Sequence, residues 1–169
     1  FNDIAIAANI LLSKNKVKKI LIVDLDVHQG NGTANIFSNI SDVFTFSMHG
    51  EKNYPTRKES SDFDISMPDK CEDLYYLRCL KEVLPKLLDN VQPDFIFYLA
   101  GVDILESDKQ GRLSISKQGC KERDRYVLQL AKDNKIPIAV TMGGGYSPKI
   151  ADIIDAHANT FRLAQEIYF

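Results

Sequence analysis

Cysteine is scarce and badly spaced for cross-linking or metal binding. Three occur in 169 residues, Cys71, Cys79 and Cys120, without a CxxC pair. Neither a disulfide framework nor a cysteine zinc site can be read from them, and a reducing compartment fits best. Charge of one sign is also missing. The 21 basic and 23 acidic residues leave a net charge of −2, too little to suggest a polyanionic partner, so direct nucleic-acid binding is not expected. No apolar run approaches the ~20 residues needed to span a bilayer. The N-terminal residues also lack a basic segment followed by an apolar one. The expectation is a cytoplasmic setting, or a nuclear one in a eukaryote, with no membrane partner. Repeats, low-complexity tracts and Gly/Ser linkers are absent as well, so residues 1–169 read as one domain. What remains is ordinary globular composition, 44% apolar and 26% charged, enough for a buried core.

Helical and strand patterns alternate along the chain. Asn2 or Asp3 caps an expected helix through about Lys14, and Lys19–Asp24 (KILIVD) reads as a buried strand. Val43–Ser47 (VFTFS) is a second strand. A helix over Asp73–Asp89, which Pro85 should bend or interrupt, leads to a third strand over Asp94–Ala100 (DFIFYLA). A helix over Ser116–Lys132 precedes a fourth strand, Pro137–Met142 (PIAVTM). The last helix, Pro148–Tyr168, aligns Ile150, Ile154, His157, Phe161, Ala164 and Tyr168 in one stripe. Apolar strands separated by helices imply a mainly parallel α/β sheet covered on both faces. Ligands of such sheets bind beyond the carboxyl ends of the strands.

Three of those ends carry unusual residues. The first strand runs into Asp24-Leu25-Asp26-Val27-His28-Gln29-Gly30-Asn31-Gly32-Thr33. If the backbone stays extended, period-two alternation turns Asp24, Asp26 and His28 to one side. The third strand ends in Gly101-Val102-Asp103, bringing a further carboxylate to the same sheet edge. The fourth ends in Gly143-Gly144-Gly145-Tyr146, where glycines permit close backbone approach and set a phenol at the rim. Asp26, His28 and Asp103 would give a divalent cation three ligands and leave a position open, as in catalytic zinc sites. Such an ion lowers the pKa of bound water and polarises a carbonyl, which suggests hydrolysis. Tyr146 could donate a hydrogen bond to the oxyanion.

Taken singly, each motif has a bland explanation. An Asp-x-Asp after a strand is often a turn or cap, and a glycine run is often a turn. Their joint occurrence at one sheet edge is what favours a metal site. His157, on the apolar stripe, reads as a core histidine. His49, in Ser47-Met48-His49-Gly50, reads as holding its loop by a hydrogen bond. The mixed-charge stretch from Glu51 to Glu59 reads as a solvated rim.

The segments FNDIAIAA, DLDVHQGNGT, FSMHGEKNYP, YLAGVDILESDKQGRLSIS and MGGGYS, in that order, resemble the histone deacetylase superfamily. GVDILESDKQGRLSIS is most similar to class IV and related bacterial deacetylases. The resemblance implies a three-layer α-β-α fold with an arginase/deacetylase-like parallel sheet, incomplete at its N-terminal side. It implies Asp26, His28 and Asp103 as zinc ligands and Tyr146 as the transition-state tyrosine. Asp24 would be the partner that orients a catalytic histidine, with Asn31 nearby. A potassium ion would be held by Asp24, Asp26, His28, Ser47 and Met48, partly through backbone oxygens, and a second monovalent site would lie near Phe37 and Val43. Tyr54, Gly144 and Gly145 would line the acyl-lysine tunnel, and the substrate would be an acyl-lysine protein or an acylated small amine.

One family feature is missing. Members carry a His-His pair shortly before the FNDIAIAA region, acting as general base and acid, whereas none of His28, His49 and His157 is paired. The resemblance therefore implies the C-terminal portion of a longer catalytic domain, inactive or nearly so alone. Two rival readings stand beside it. IVDLD also mimics the nucleophilic Asp-x-Asp of haloacid-dehalogenase-type magnesium phosphohydrolases, with Asp24 as nucleophile. A non-catalytic metal-binding pseudoenzyme is the other.

Overall fold

The computed structural model describes residues 1–169. It contains α1 (Asp3–Ser13), β1 (Ile20–Asp24), α2 (Asn31–Phe37), β2 (Val43–Gly50) and β3 (Phe63–Met67). These are followed by α3 (Asp73–Val91), β4 (Phe95–Gly101), α4 (Lys117–Asp133), β5 (Ile138–Gly143) and α5 (Ile150–Tyr168). The five strands form one sheet in the order β3-β2-β1-β4-β5, parallel at every pairing. β1 is central: Asp24 stands opposite Ser47 of β2 on one side and Leu99 of β4 on the other.

Alternation along β1 builds the layers. Leu21 and Val23 are buried in the large cluster with Leu80 and Leu84 of α3 and Val127 of α4. Ile20 and Ile22 face the opposite way and pack with Ile4, Ala5 and Ala8 of α1 and Phe37 of α2. Helices thus cover both faces, as a buried parallel sheet requires. Asn2 starts α1 by accepting the Ala5 N–H at 2.9 Å, and Ser116 starts α4 by accepting that of Gly119 at 2.9 Å, each satisfying an end donor with no partner inside its helix.

Four expectations change. β3 is a fifth strand at the edge, buried only at Met67, and its polar Asp64 and Ser66 break the continuous apolar run expected of a strand covered on both faces. α2, Asn31–Phe37, is a short helix between the first two strands where none was indicated. Pro85 does not interrupt α3, which runs through to Val91. The Lys81 carbonyl, left free because proline has no N–H, accepts the Tyr126 hydroxyl at 3.4 Å. Finally, the buried side of α5 is Ala156, Thr160, Leu163 and Ile167, whereas Ile150, Ile154 and Phe161 are exposed. The expected stripe was one residue out of phase, a rotation of about 100°. The adjacent edge strand β5 likewise leaves Val140 and Met142 exposed.

Candidate metal centre

The β1–β4 ladder ends at Asp24 and Leu99, and beyond it the chain departs from strand geometry while keeping its alternation. Leu25 and Val27 are fully buried in the core, which leaves Asp26 and His28 directed away from it, partly exposed. Asp103 arrives two residues after β4 and is wholly buried. The three residues each present one ligand atom within 4.8 Å of the others. His28 Nδ1 lies 3.0 Å from Asp26 Oδ1 and 3.2 Å from Asp103 Oδ2.

Backbone donors fix these carboxylates. The Val27 N–H donates to Asp103 Oδ1 at 3.0 Å, and the His28 N–H to Asp26 Oδ1 at 2.9 Å. Glycine is required where the strands converge. A Cβ at Gly101 would lie 2.5 Å from Asp26 Oδ2 and 2.8 Å from Asp26 Cα, and one at Gly144 would fall on the Asp103 carboxylate.

Electrostatics make the cluster a cation trap. The Asp103 carboxylate and then that of Asp26 push the His28 imidazole up to about 10. Burial pushes the Asp103 carboxyl up, against the pull of His28. One proton on Nδ1 cannot serve both carboxylates, and Asp103 Oδ2 is buried without a hydrogen-bond partner. An uncompensated buried carboxylate oxygen is costly. A divalent cation would satisfy it, and two carboxylates with one imidazole are a donor set suited to zinc, so the residues fit the ion.

Tyr146 stands beside this cluster, its ring edge-on to His28 with centroids 6.4 Å apart. Burial, with Asp103, Asp26 and Asp108 behind it, raises the phenol, which keeps it a protonated donor. Its backbone N–H donates to Asp108 Oδ2 at 2.6 Å. Asp108 was not singled out from the sequence, although Asp-x-x-Gly is a turn signal: its Oδ1 also accepts from Gln110 and Gly111. Ser107 and Ser147 join the same two loops by a 2.7 Å hydroxyl contact.

Asp24 lies apart from the three ligand atoms. It is buried, accepts the Asp26 N–H at 3.1 Å, and burial then Asp26 hold its carboxyl well above the ordinary range. It borders a cavity of about 420 Å³ shared with Phe1, Asn2, Gly30 and Thr33. Ser47 and Met48 are buried one strand away; His49, expected in a loop after β2, lies within the strand, where its Nδ1 is 3.0 Å from Ser47 Oγ. Tyr54 is 69% exposed, with its carbonyl bound by the Gln29 N–H at 3.2 Å. Gly144 and Gly145 both take positive φ, 57° and 108°. His157 Nε2 is 3.4 Å from the Gly144 carbonyl, behind the glycine turn rather than among the ligands.

The histone deacetylase domain model matches residues 1–161. The chain belongs to the histone deacetylase family. An uncharacterized protein of Picosynechococcus is 43% identical over 167 residues, spanning 99% of this chain and 56% of that protein. Histone deacetylase 2 of Arabidopsis thaliana is 31% identical over 157 residues, 91% of this chain and 41% of its own length. This deacetylase-family chain thus spans about half the length of these relatives. Its fold is that of the acetylpolyamine aminohydrolase from Burkholderia pseudomallei, with a TM-score of 0.83 at 22% identity over 99% of this chain and 50% of that one. The histone deacetylase Clr3 superposes with a TM-score of 0.81 at 21% identity, over 99% of this chain and 30% of its own.

Proposed function

We propose that this chain carries the metal-binding half of a zinc-dependent deacylase that hydrolyses the amide of an N-acyl-lysine or an acylated small amine. The observation that carries the reading is the convergence of Asp26, His28 and Asp103 within 4.8 Å at the carboxyl edge of β1 and β4, in a histone deacetylase family chain. When bound, zinc supplies Lewis acidity, polarising the acyl carbonyl and making water acidic enough to react near neutral pH.

The chain's own residues do the rest. Asp26 and Asp103 bring two negative charges that offset a dication, and the backbone donors from Val27 and His28 hold them in register. Tyr146, kept protonated, donates to the oxyanion as the carbonyl carbon becomes tetrahedral. Tyr54 and the glycine turn flank the substrate's alkyl stem. Asp24 is the acceptor that orients an incoming imidazole. His28 belongs to the ligand set, His49 Nδ1 faces Ser47 Oγ at 3.0 Å and His157 lies behind the glycine turn, so none of the three is assigned the proton transfers, and the chain alone is expected to be inactive or nearly so. Potassium near Asp24, Ser47 and Met48 belongs to the same proposal. The phosphohydrolase alternative loses ground because its nucleophile, Asp24, is buried and hydrogen-bonded.

The test pairs two variants of the complete protein. Asp103→Ala is expected to abolish zinc retention, and Tyr146→Phe to retain zinc at wild-type stoichiometry while losing roughly 100-fold in turnover, the scale of one oxyanion donor. Equal zinc content in wild type and Asp103→Ala would reject the reading.

A further inference from the structure

One group of charges lies outside the metal cluster and has no part in the chemistry above. Arg123 and Asp124, adjacent on α4, are both 0% exposed. Arg123 Nε and Nη2 each lie 2.8 Å from Asp124 Oδ1. Asp124 also accepts the Tyr98 hydroxyl of β4 at 2.5 Å and the Thr160 hydroxyl of α5 at 2.6 Å. A buried ion pair is poor value for stability alone, since well-packed apolar residues of similar volume often do as well or better. What the pair leaves over is Nη1, which donates to the carbonyls of Gly101 at 2.6 Å and Leu25 at 3.1 Å.

Those carbonyls sit where the β1–β4 ladder has run out. Leu25 directly precedes Asp26, and Gly101 stands two residues before Asp103. One guanidinium nitrogen therefore bridges the two backbone segments that bring the carboxylates together. Only arginine has enough donors in a planar fork to hold a carboxylate with two nitrogens and bridge two carbonyls with the third.

We infer that Arg123, locked in place by Asp124, is a positioning residue that sets the separation of Asp26 and Asp103 and so tunes metal affinity and geometry from beneath the site. The inference rests on the metal-site reading above. Its reach is through the backbone: loss of the bridge lets the segment after β1 drift from the end of β4, and the carboxylates move with their carbonyls.

The experiment measures zinc affinity by competition with a chromophoric chelator, and the visible spectrum with cobalt in place of zinc, on the complete protein. Arg123→Met strands Asp124 as an unpaired buried charge, so the paired Arg123→Met/Asp124→Asn and the charge-keeping Arg123→Lys are made beside it. Leu163→Ala, in the α4–α5 contact, is the control for destabilisation without contact to either carbonyl. We expect zinc affinity to fall roughly 10–100-fold in the folded Arg123 variants, as for groups that orient metal ligands, with a displaced cobalt spectrum. Leu163→Ala should melt earlier yet keep both readouts. Arg123→Lys and the paired variant matching wild type in affinity and spectrum would overturn the inference while leaving the metal site intact. Failure of wild type to take up zinc would instead overturn the functional reading on which it depends.

Discussion

Gly144→Ala is the sharpest small perturbation of the proposed centre. Gly144 adopts φ of 57°, which costs a side chain roughly 1–2 kcal/mol. The added methyl would land on the Asp103 carboxylate, and Asp103 has little room to retreat: it is fully buried and held by the Val27 N–H. Overpacking of this kind costs roughly 1–3 kcal/mol, so the total loss of about 2–5 kcal/mol should leave a typical domain folded but weakened. The carboxylate must rotate, and zinc affinity should fall roughly 100-fold, the upper end for disturbed ligand orientation. Gly145→Ala separates the two effects. Its φ of 108° is also strained, but its methyl meets side-chain methyls of Ile153 and Val102 at 2.8 and 3.0 Å rather than a ligand. Thermal melting and chelator competition on both variants should therefore show comparable destabilisation with zinc binding lost only in Gly144→Ala. Wild-type zinc affinity in a folded Gly144→Ala protein would refute the reasoning.

Two further outcomes follow from the same geometry. Because the folded His28 is raised to about 10 from an unfolded value near 6.5, its contribution to metal-free stability is fully present below about pH 6.5 and disappears as pH rises through 10. Melting of the chelator-treated protein should decline across that window, and His28→Asn should flatten the decline; an unchanged slope would contradict the pairing of a charged His28 with Asp103 and Asp26. Gly32→Ala, whose methyl would meet only Asn2 Nδ2 at 4.0 Å, should raise stability by about 0.5–1 kcal/mol through helix propensity, read from denaturant midpoints, without altering zinc uptake.

The strands that could be read from sequence are those with a near-continuous apolar run, whether buried on both faces like β1 or at the sheet edge like β5, whose Val140 and Met142 are exposed. β1, with all five residues buried, is the plainest case, and its apolar run is visible because nothing polar interrupts it. β3 is one-sided and carries Asp64, which accepts from Gln29 at 3.1 Å, so its pattern serves contacts rather than burial. Periodicity failed on α5 for a related reason: Ile150, Ile154 and Phe161 are apolar yet exposed, and apolar residues do not by themselves say which face is covered. For the site, the sequence indicated that Asp26, His28 and Asp103 lie at strand ends. That β4 sits next to β1, bringing Asp103 to Asp26, is a matter of strand order that no local pattern encodes. Arg123 left a trace that went unread. It falls with Asp124 between Cys120 and Val127 on the buried face of α4, and a charged pair at a core position needs a partner.

The account rests on one dication bound jointly by residues from two neighbouring strand ends. Crystals of the zinc-loaded protein, with anomalous diffraction recorded on both sides of the zinc edge, test it directly. The expected result is a single strong zinc peak bonded to His28 Nδ1 and to carboxylate oxygens of Asp26 and Asp103. Well-ordered, fully loaded crystals with that space free of anomalous density, or with zinc bound at other side chains, would contradict it.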